Sequence, residues 1–210
     1  MEKELQKRIL SSIILIPIAI FLIIKGSVFF IFFLSILFLV TSYEWFQMIK
    51  KNNLLKFLGI IFLFFSFYSA FSLRDDLGPD LFLFIICICI FTDIGGYVFG
   101  KFIKGPKLTK ISPNKTYAGV AGGFILSLIA GLIFFKILED ELFNSYTIDF
   151  LIFIFIISLI SQIGDLIISY FKRKAKVKDT GKFLPGHGGF LDRVDGLIFV
   201  IPIFYLYTII

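Results

Sequence analysis

The chain has 210 residues, of which 58% are hydrophobic and only 17% charged, with 30 phenylalanines. A water-soluble domain of this size keeps roughly a quarter of its residues charged, so a globular cytosolic protein, a disordered tail and a secreted disulfide scaffold are excluded, and the bilayer becomes the solvent. The net charge of +6 is concentrated: residues 101–115 carry five lysines and no acid, and residues 172–195 carry seven basic residues against Asp179, Asp192 and Asp195.

A hydrocarbon core about 30 Å thick needs about 20 apolar residues per helix. Apolar windows predict spans over residues 10–25, 27–47, 56–73, 80–100, 117–138, 148–171 and 194–210. The expected fold class is an all-α integral membrane protein, a polytopic bundle of about seven transmembrane helices. Residues 1–9 mix acids and bases and read as a short interfacial helix. The first span runs too long for a signal peptide, lacks a small-residue cleavage site and is followed by six more. Cys87 and Cys89, two apart on the fourth predicted helix, point away from each other, so neither a disulfide framework nor a zinc site follows. No internal repeat or linker divides the chain. We expect one membrane domain, with residues 1–80 as scaffold and residues 81–210 carrying the chemistry.

Alternate loops differ sharply in charge. The N-terminal side collects eighteen Lys and Arg, from residues 1–9, Lys50, Lys51, Lys56, residues 101–115 and residues 172–193, whereas the other side holds Lys25, Arg74 and Lys136. The side that retains positive charge is cytoplasmic, which predicts a cytoplasmic N-terminus and cytosolic basic loops. Nucleic acid is disfavoured as a partner, because the chain offers no soluble module to hold it.

Four acids stand where lipid would make them costly and so mark a polar site. Asp93 lies in FTDIGGYVFG, Asp165 in SQIGDLIISY, and Asp192 and Asp195 in FLDRVDGLIF. If the last helix has begun there, Asp192 and Asp195 share one face of its first turn, a geometry that suits a hard cation such as Mg²⁺. The alternative is a set of structural ion pairs with Arg193, Lys172 or Arg173. Glycines in DIGG, GPKL and PGHGG lie beside cations, where exposed N–H groups can cradle phosphate oxygens; glycine is also common at membrane helix contacts. In SPNKTYAG, Pro113 and the hydroxyls of Ser112 and Thr116 suit a cap on the following helix, and the same hydroxyls with Lys115 suit contact with phosphate; the two roles are compatible, since a helix N-terminus attracts anions. His187, the single histidine, stands between Gly186 and Gly188 in a cationic loop as a candidate donor to phosphate. These groups describe metal-assisted phosphate chemistry at the membrane face. A GxxxxGK[ST] loop is missing, which argues against a P-loop ATPase.

Residues 169–195, SYFKRKAKVKDTGKFLPGHGGFLDRVD, resemble the signature of phosphatidate cytidylyltransferases, also called CDP-diacylglycerol synthases. Ser169, Lys172, Arg173, Lys178, Asp179, Gly181, Pro185, His187, Gly188, Gly189, Asp192, Arg193 and Asp195 stand at that family's spacing. GDL at 164–166, TDIGGYVFG at 92–100 and SPNKTYAG at 112–119 also look like family segments. Asn114, Tyr117 and Ala118 depart from the usual Lys, Trp and Glu, Ile168 replaces a frequent acid, and the chain is shorter than typical members by one or two N-terminal spans.

The resemblance implies that CTP and phosphatidate give CDP-diacylglycerol and pyrophosphate. It assigns Asp165, Asp192 and Asp195 to Mg²⁺, as two divalent ions or one divalent with one monovalent. Lys172, Arg173, Lys178 and Arg193 would grip phosphates, and Asp179 and His187 would order the loop or assist. Asp93, Ser112, Lys115, Thr116, Ser169, Gly188 and Gly189 would bind substrate. The partners expected are the two substrates and the lipid bilayer, with a homodimer left open, in an integral protein of a bacterial inner membrane whose site faces the cytoplasm. Competing readings are a CTP-dependent lipid or polyprenol kinase and, in a different class, an ion-coupled transporter.

Overall fold

The computed structural model describes residues 2–109, 112, 115–138, 148–181, 183 and 188–209, with side chains from residue 13 onward. His187, Pro113, Asn114, Pro185 and Gly186 lie outside the described residues. The described chain is helical: α1 (Glu2–Lys25), α2 (Ser27–Met48), α3 (Asn53–Phe102), α4 (Tyr117–Leu138), α5 (Ile148–Lys174), α6 (Leu191–Val194) and α7 (Leu197–Ile209). Large apolar side chains such as Phe32, Leu39, Phe64 and Ile133 are more than half exposed, an outer surface suited to lipid tails rather than water. The protein is an all-helical membrane protein.

Among the described residues four helices, α2 to α5, are long and apolar enough to cross a membrane, where the sequence predicts about seven spans. The difference has three sources. The third and fourth predicted spans are joined in the 50-residue α3, which Gly78 interrupts with φ 84° and ψ 165° ahead of Pro79. Proline disfavours helix at the residue before it and donates no N–H, and glycine alone adopts that left-handed backbone freely. The acidic segment from Arg74 to Leu77, predicted as a loop, instead extends the helix to that break. α7 has 13 residues, about 20 Å of helix, and of the 24-residue α1 only Ile13–Lys25 has described side chains. Residues 2–9 are continuous with the rest of α1 rather than a separate interfacial helix.

The chain forms two compact units, residues 1–79 with 171–210, and residues 80–170. The C-terminal segment thus groups with the N-terminal helices. Three contacts of the first unit account for this: Ser66 Oγ donates to the Ile198 carbonyl at 2.7 Å, the Phe62 and Phe199 rings lie 4.8 Å apart, and Glu44 holds the start of α6. At the far end of α1, Arg74 donates through Nε to the Ile23 carbonyl and through Nη2 to the Ile24 carbonyl, both at 2.9 Å. These are orphan acceptors of a helix C-terminus, where a cation is favoured. Gly26, at φ 64°, leaves the guanidinium its room, since a Cβ there would occupy the same space.

In the second unit α3 and α4 meet backbone to backbone. A Cβ on Gly95 would collide with the Gly122 carbonyl oxygen, and one on Gly119 would lie 2.8 Å from the Gly96 carbonyl oxygen. The glycines of DIGG and of α4 therefore serve the close helix approach available only to small residues in membranes. Gly95→Ala should destabilise the protein by about 2 kcal/mol through overpacking. Unfolding in detergent against denaturant measures this, and unchanged stability would show that the helices do not approach this closely.

Candidate active site

The second unit contains a cavity of about 300 Å³ lined by Asp93, Ser112, Lys115, Thr116, Asp165 and Ser169, together with Thr92 and Gln162. Six of the residues singled out from sequence surround it. The loop after α3 brings the cation there by folding back on itself. Leu108 N–H donates to the Lys115 carbonyl at 2.8 Å and Tyr117 N–H to the Pro106 carbonyl at 3.2 Å, around an isolated antiparallel bridge between Lys107 and Thr116. Thr116 then caps α4, its hydroxyl accepting from Gly119 N–H at 3.1 Å. Of the two readings of this segment the helix cap is realised, and it leaves the helix N-terminus turned to the same cavity, where anions are favoured.

Lys115 Nζ pairs with Asp165 Oδ2 at 2.5 Å, and Ser169 Oγ donates to Asp165 Oδ1 at 3.2 Å. Asp165 and Ser169 are four apart on α5, so one helical turn presents both to the cavity. Beneath them Thr92 Oγ1 donates to the Ile88 carbonyl at 2.8 Å and lies 2.9 Å from Ser158 Oγ, while Gln162 Nε2 donates to Ser158 Oγ at 3.4 Å. Asp93 is exposed at the rim.

The first unit holds the remaining described groups. Asp192 is an organising centre: Lys172 Nζ donates to Oδ1 at 2.7 Å, and Thr180 N–H and Gly189 N–H donate to Oδ2 at 2.8 and 3.1 Å. The ion pair with Lys172 is thus present. Burial alone would raise the Asp192 carboxyl, but the Lys172 ammonium and the two backbone donors outweigh it and hold the group below its usual value. Asp195 is buried behind α6, and Gly196 N–H donates to its Oδ1 at 3.0 Å. Asp192 thus sits on a separate helical turn and Asp195 just after it, rather than on the first turn of α7. Arg173, Lys178, Asp179 and Arg193 are exposed. Gly188 takes φ 84°, and a Cβ on Gly189 would strike Thr180 Oγ1 and the Glu44 carboxyl.

Glu44 is the residue that sequence reasoning missed. It is 1% exposed on α2, and its Oε1 accepts from Phe190 N–H at 3.0 Å and its Oε2 from Leu191 N–H at 2.8 Å. These are orphan donors at the start of α6. Thr180 Oγ1 lies 3.1 Å from Glu44 Oε2 and 3.0 Å from Asp192 Oδ2, and its single hydrogen serves one of them at a time. The signal in the sequence was an acid inside the apolar run of span two, TSYEWFQM, which the rule that selected Asp93 and Asp165 also covers.

Among the described residues no group of three or more His, Cys, Asp or Glu side chains can hold a metal ion. The carboxylates of Asp165 and Asp93 and the hydroxyls around them are hard oxygen donors, a set that fits an ion retaining waters and phosphate oxygens rather than one in an all-protein cage. Asp165 and Asp192 fall in different units.

Glu44→Gln should leave the Phe190 and Leu191 amides exchanging about thirtyfold faster, the equivalent of about 2 kcal/mol for charge-assisted hydrogen bonds, as read by hydrogen exchange. For Asp192 the sign follows from its depressed folded value. Its stabilisation is complete above the unfolded value of about 3.9 and is lost as pH falls through the folded one. Exchange protection at Thr180 and Gly189 should therefore be flat between about pH 5 and pH 8 and collapse only in stronger acid.

Residues 53–210 match the Cytidylyltransferase family. A phosphatidate cytidylyltransferase of Rickettsia bellii is 34% identical over 211 residues, covering 97% of this chain and 90% of the relative. One of Staphylococcus saprophyticus is 40% identical over 147 residues, covering 70% of this chain. The chain spans about half the length of the staphylococcal relative, 55%, and nearly all of one from Rickettsia felis, 94%, to which it is 32% identical. With a match that takes in both the Lys115 hairpin and the Asp192 loop, the chain belongs to the cytidylyltransferase family.

Proposed function

We propose that this protein transfers the cytidylyl group of CTP to phosphatidate, giving CDP-diacylglycerol and pyrophosphate. The observation that carries the reading is the cavity in which the folded-back loop sets Lys115 against Asp165 and Ser169 beside the N-terminus of α4. Kinship to proteins named phosphatidate cytidylyltransferase supplies the substrates.

In the proposed reaction a phosphate oxygen of phosphatidate attacks the α-phosphorus of CTP, and the bond to the β-phosphate bridging oxygen breaks as pyrophosphate leaves. The nucleophile is already an anion, so the chain has no proton to remove. Its task is to hold two polyanions together and to neutralise the charge that grows on the leaving group. Lys115 and the α4 amides supply positive potential within the cavity. Ser169 fixes the rotamer of Asp165, and Ser112 and Thr116 line the same cavity with hydroxyls. The first unit carries its own exposed cations, Lys178, Arg173 and Arg193, and there Asp192 spends its oxygens on Lys172 and on ordering the loop.

Asp165 and Asp93 would hold Mg²⁺, which when bound supplies Lewis-acid neutralisation of phosphate charge. A second ion, divalent or monovalent, belongs to the same proposal. Eighteen of the 21 Lys and Arg on one side support a cytoplasmic N-terminus, about seven spans counting both halves of α3, and a site facing the cytosol of a bacterial inner membrane.

Purified protein given CTP, phosphatidate and Mg²⁺ should release pyrophosphate, and Asp165→Asn should lower kcat by about a hundredfold or more. Release of CDP with diacylglycerol as acceptor would instead identify a kinase. Chelation with EDTA should abolish turnover and added Mg²⁺ restore it; turnover that survives chelation would remove the metal from the proposal.

A further inference from the structure

The first unit contains a second cavity, of about 440 Å³, that shares no residue with those placed in the reaction. Its floor is apolar, made by Met48, Ile49, Leu55 and Phe171, and its rim carries Lys50, Lys51, Lys174 and Lys176. Among the described residues that line it, none is acidic. Four cations around an oily floor match an amphiphile whose head is anionic and whose tail is hydrocarbon. A free phosphate would gain nothing from the floor, and an apolar ligand nothing from the rim.

Two local features show that the rim is built rather than incidental. α5 ends in a Schellman turn, with Val177 N–H donating to the Lys172 carbonyl and Lys176 N–H to the Arg173 carbonyl, both at 3.0 Å. The residue at its left-handed position is Lys176, at φ 60°, where glycine or asparagine is the ordinary occupant. The chain thus keeps a lysine where its backbone favours a residue without a long side chain. On the facing wall, Asn52 caps α3, its Oδ1 accepting from Leu55 N–H at 3.0 Å, which adds a helix N-terminus to the cationic rim.

We propose that this basin binds the headgroup of an anionic phospholipid from the adjoining leaflet, with an acyl chain along Leu55 and Phe171, as a lipid site separate from the transfer reaction. Juxtamembrane lysines are attracted to anionic lipid in this way, and here they surround a shaped cavity instead of an open face.

Trp45, the single tryptophan, is a built-in reporter. Its ring lies 5.0 Å from that of Phe171 and its Nε1 donates to the Leu55 carbonyl at 3.3 Å, both residues of the floor. The full chain in phosphatidylcholine nanodiscs is titrated with phosphatidylglycerol brominated on an acyl chain, or with phosphatidylcholine brominated likewise. The anionic lipid should quench Trp45 at much lower mole fraction. Lys50→Gln, Lys51→Gln and Lys176→Gly should each weaken that preference about fivefold. Lys176→Gly suits its backbone, so it loses the cation without threatening the fold. Equal quenching by the two lipids, or a preference unchanged in the triple variant, overturns the site. Displacement of the lipid by millimolar glycerol phosphate would assign the rim to soluble phosphate and overturn the lipid. A KM for phosphatidate that rises in the triple variant while phosphatidylglycerol binding persists would make the basin part of the substrate path and likewise overturn the separate role.

Discussion

An acid buried inside an apolar helix has to be satisfied by donors, and the first unit is arranged around that requirement at Glu44. Water is excluded there, so an unpaired carboxyl would be costly. The N–H groups of Phe190 and Leu191 and the hydroxyl of Thr180 meet the need. Those donors belong to a glycine-rich polar segment far away in sequence, so satisfying one residue of α2 fixes where the segment between α5 and α7 must lie. The constraint is mutual, because α6 is a single turn that cannot bond its own first amides.

Asp192 extends the same logic to the other end of the segment. It gathers Thr180 N–H, Gly189 N–H and the Lys172 ammonium, so the chain leaving α5 and the chain entering α6 converge on one carboxylate. Gly189 is required by space as much as by flexibility, since Thr180 and Glu44 occupy the volume a side chain would need. Carboxyl groups thus anchor the chain at Thr180 and at Gly189 to Leu191, next to the exposed cations Lys178 and Arg193. Charge held in place in this way needs less rearrangement when an anion binds.

The second unit reaches order by a different route, close approach of backbones. Where Gly95 and Gly96 meet Gly119 and Gly122 there is no side chain to separate α3 from α4, and the chain leading into α4 can fold back on the chain leaving α3. That fold-back sets Lys115 on Asp165. An ion pair standing in a polar cavity is exchangeable: an incoming phosphate can take the lysine and an incoming cation the carboxylate without stranding either charge. The two units thus reach order by different means, a tied cationic loop in one and an exchangeable pair in a cavity in the other.

Composition and the period of apolar runs were enough to determine an all-helical membrane protein, because the bilayer enforces internal backbone hydrogen bonding on whatever crosses it. The signature around Asp165, Lys172 and Asp192 was equally legible, since motif spacing is a property of the chain itself. Other features required the third dimension. Hydropathy does not reveal that the break between the third and fourth predicted spans falls at Gly78, inside α3 and after the acidic segment, because a polar stretch and a helix break are separate events. The pairing of Lys115 with Asp165, fifty residues on, depends on a fold-back that glycine packing permits. The role of Glu44 depends on a segment nearly 150 residues away. Sequence carries each residue's own chemistry and its near neighbours; which distant donor satisfies a buried acid is decided only when the helices pack, because the energy that selects the partner exists only once water has been excluded.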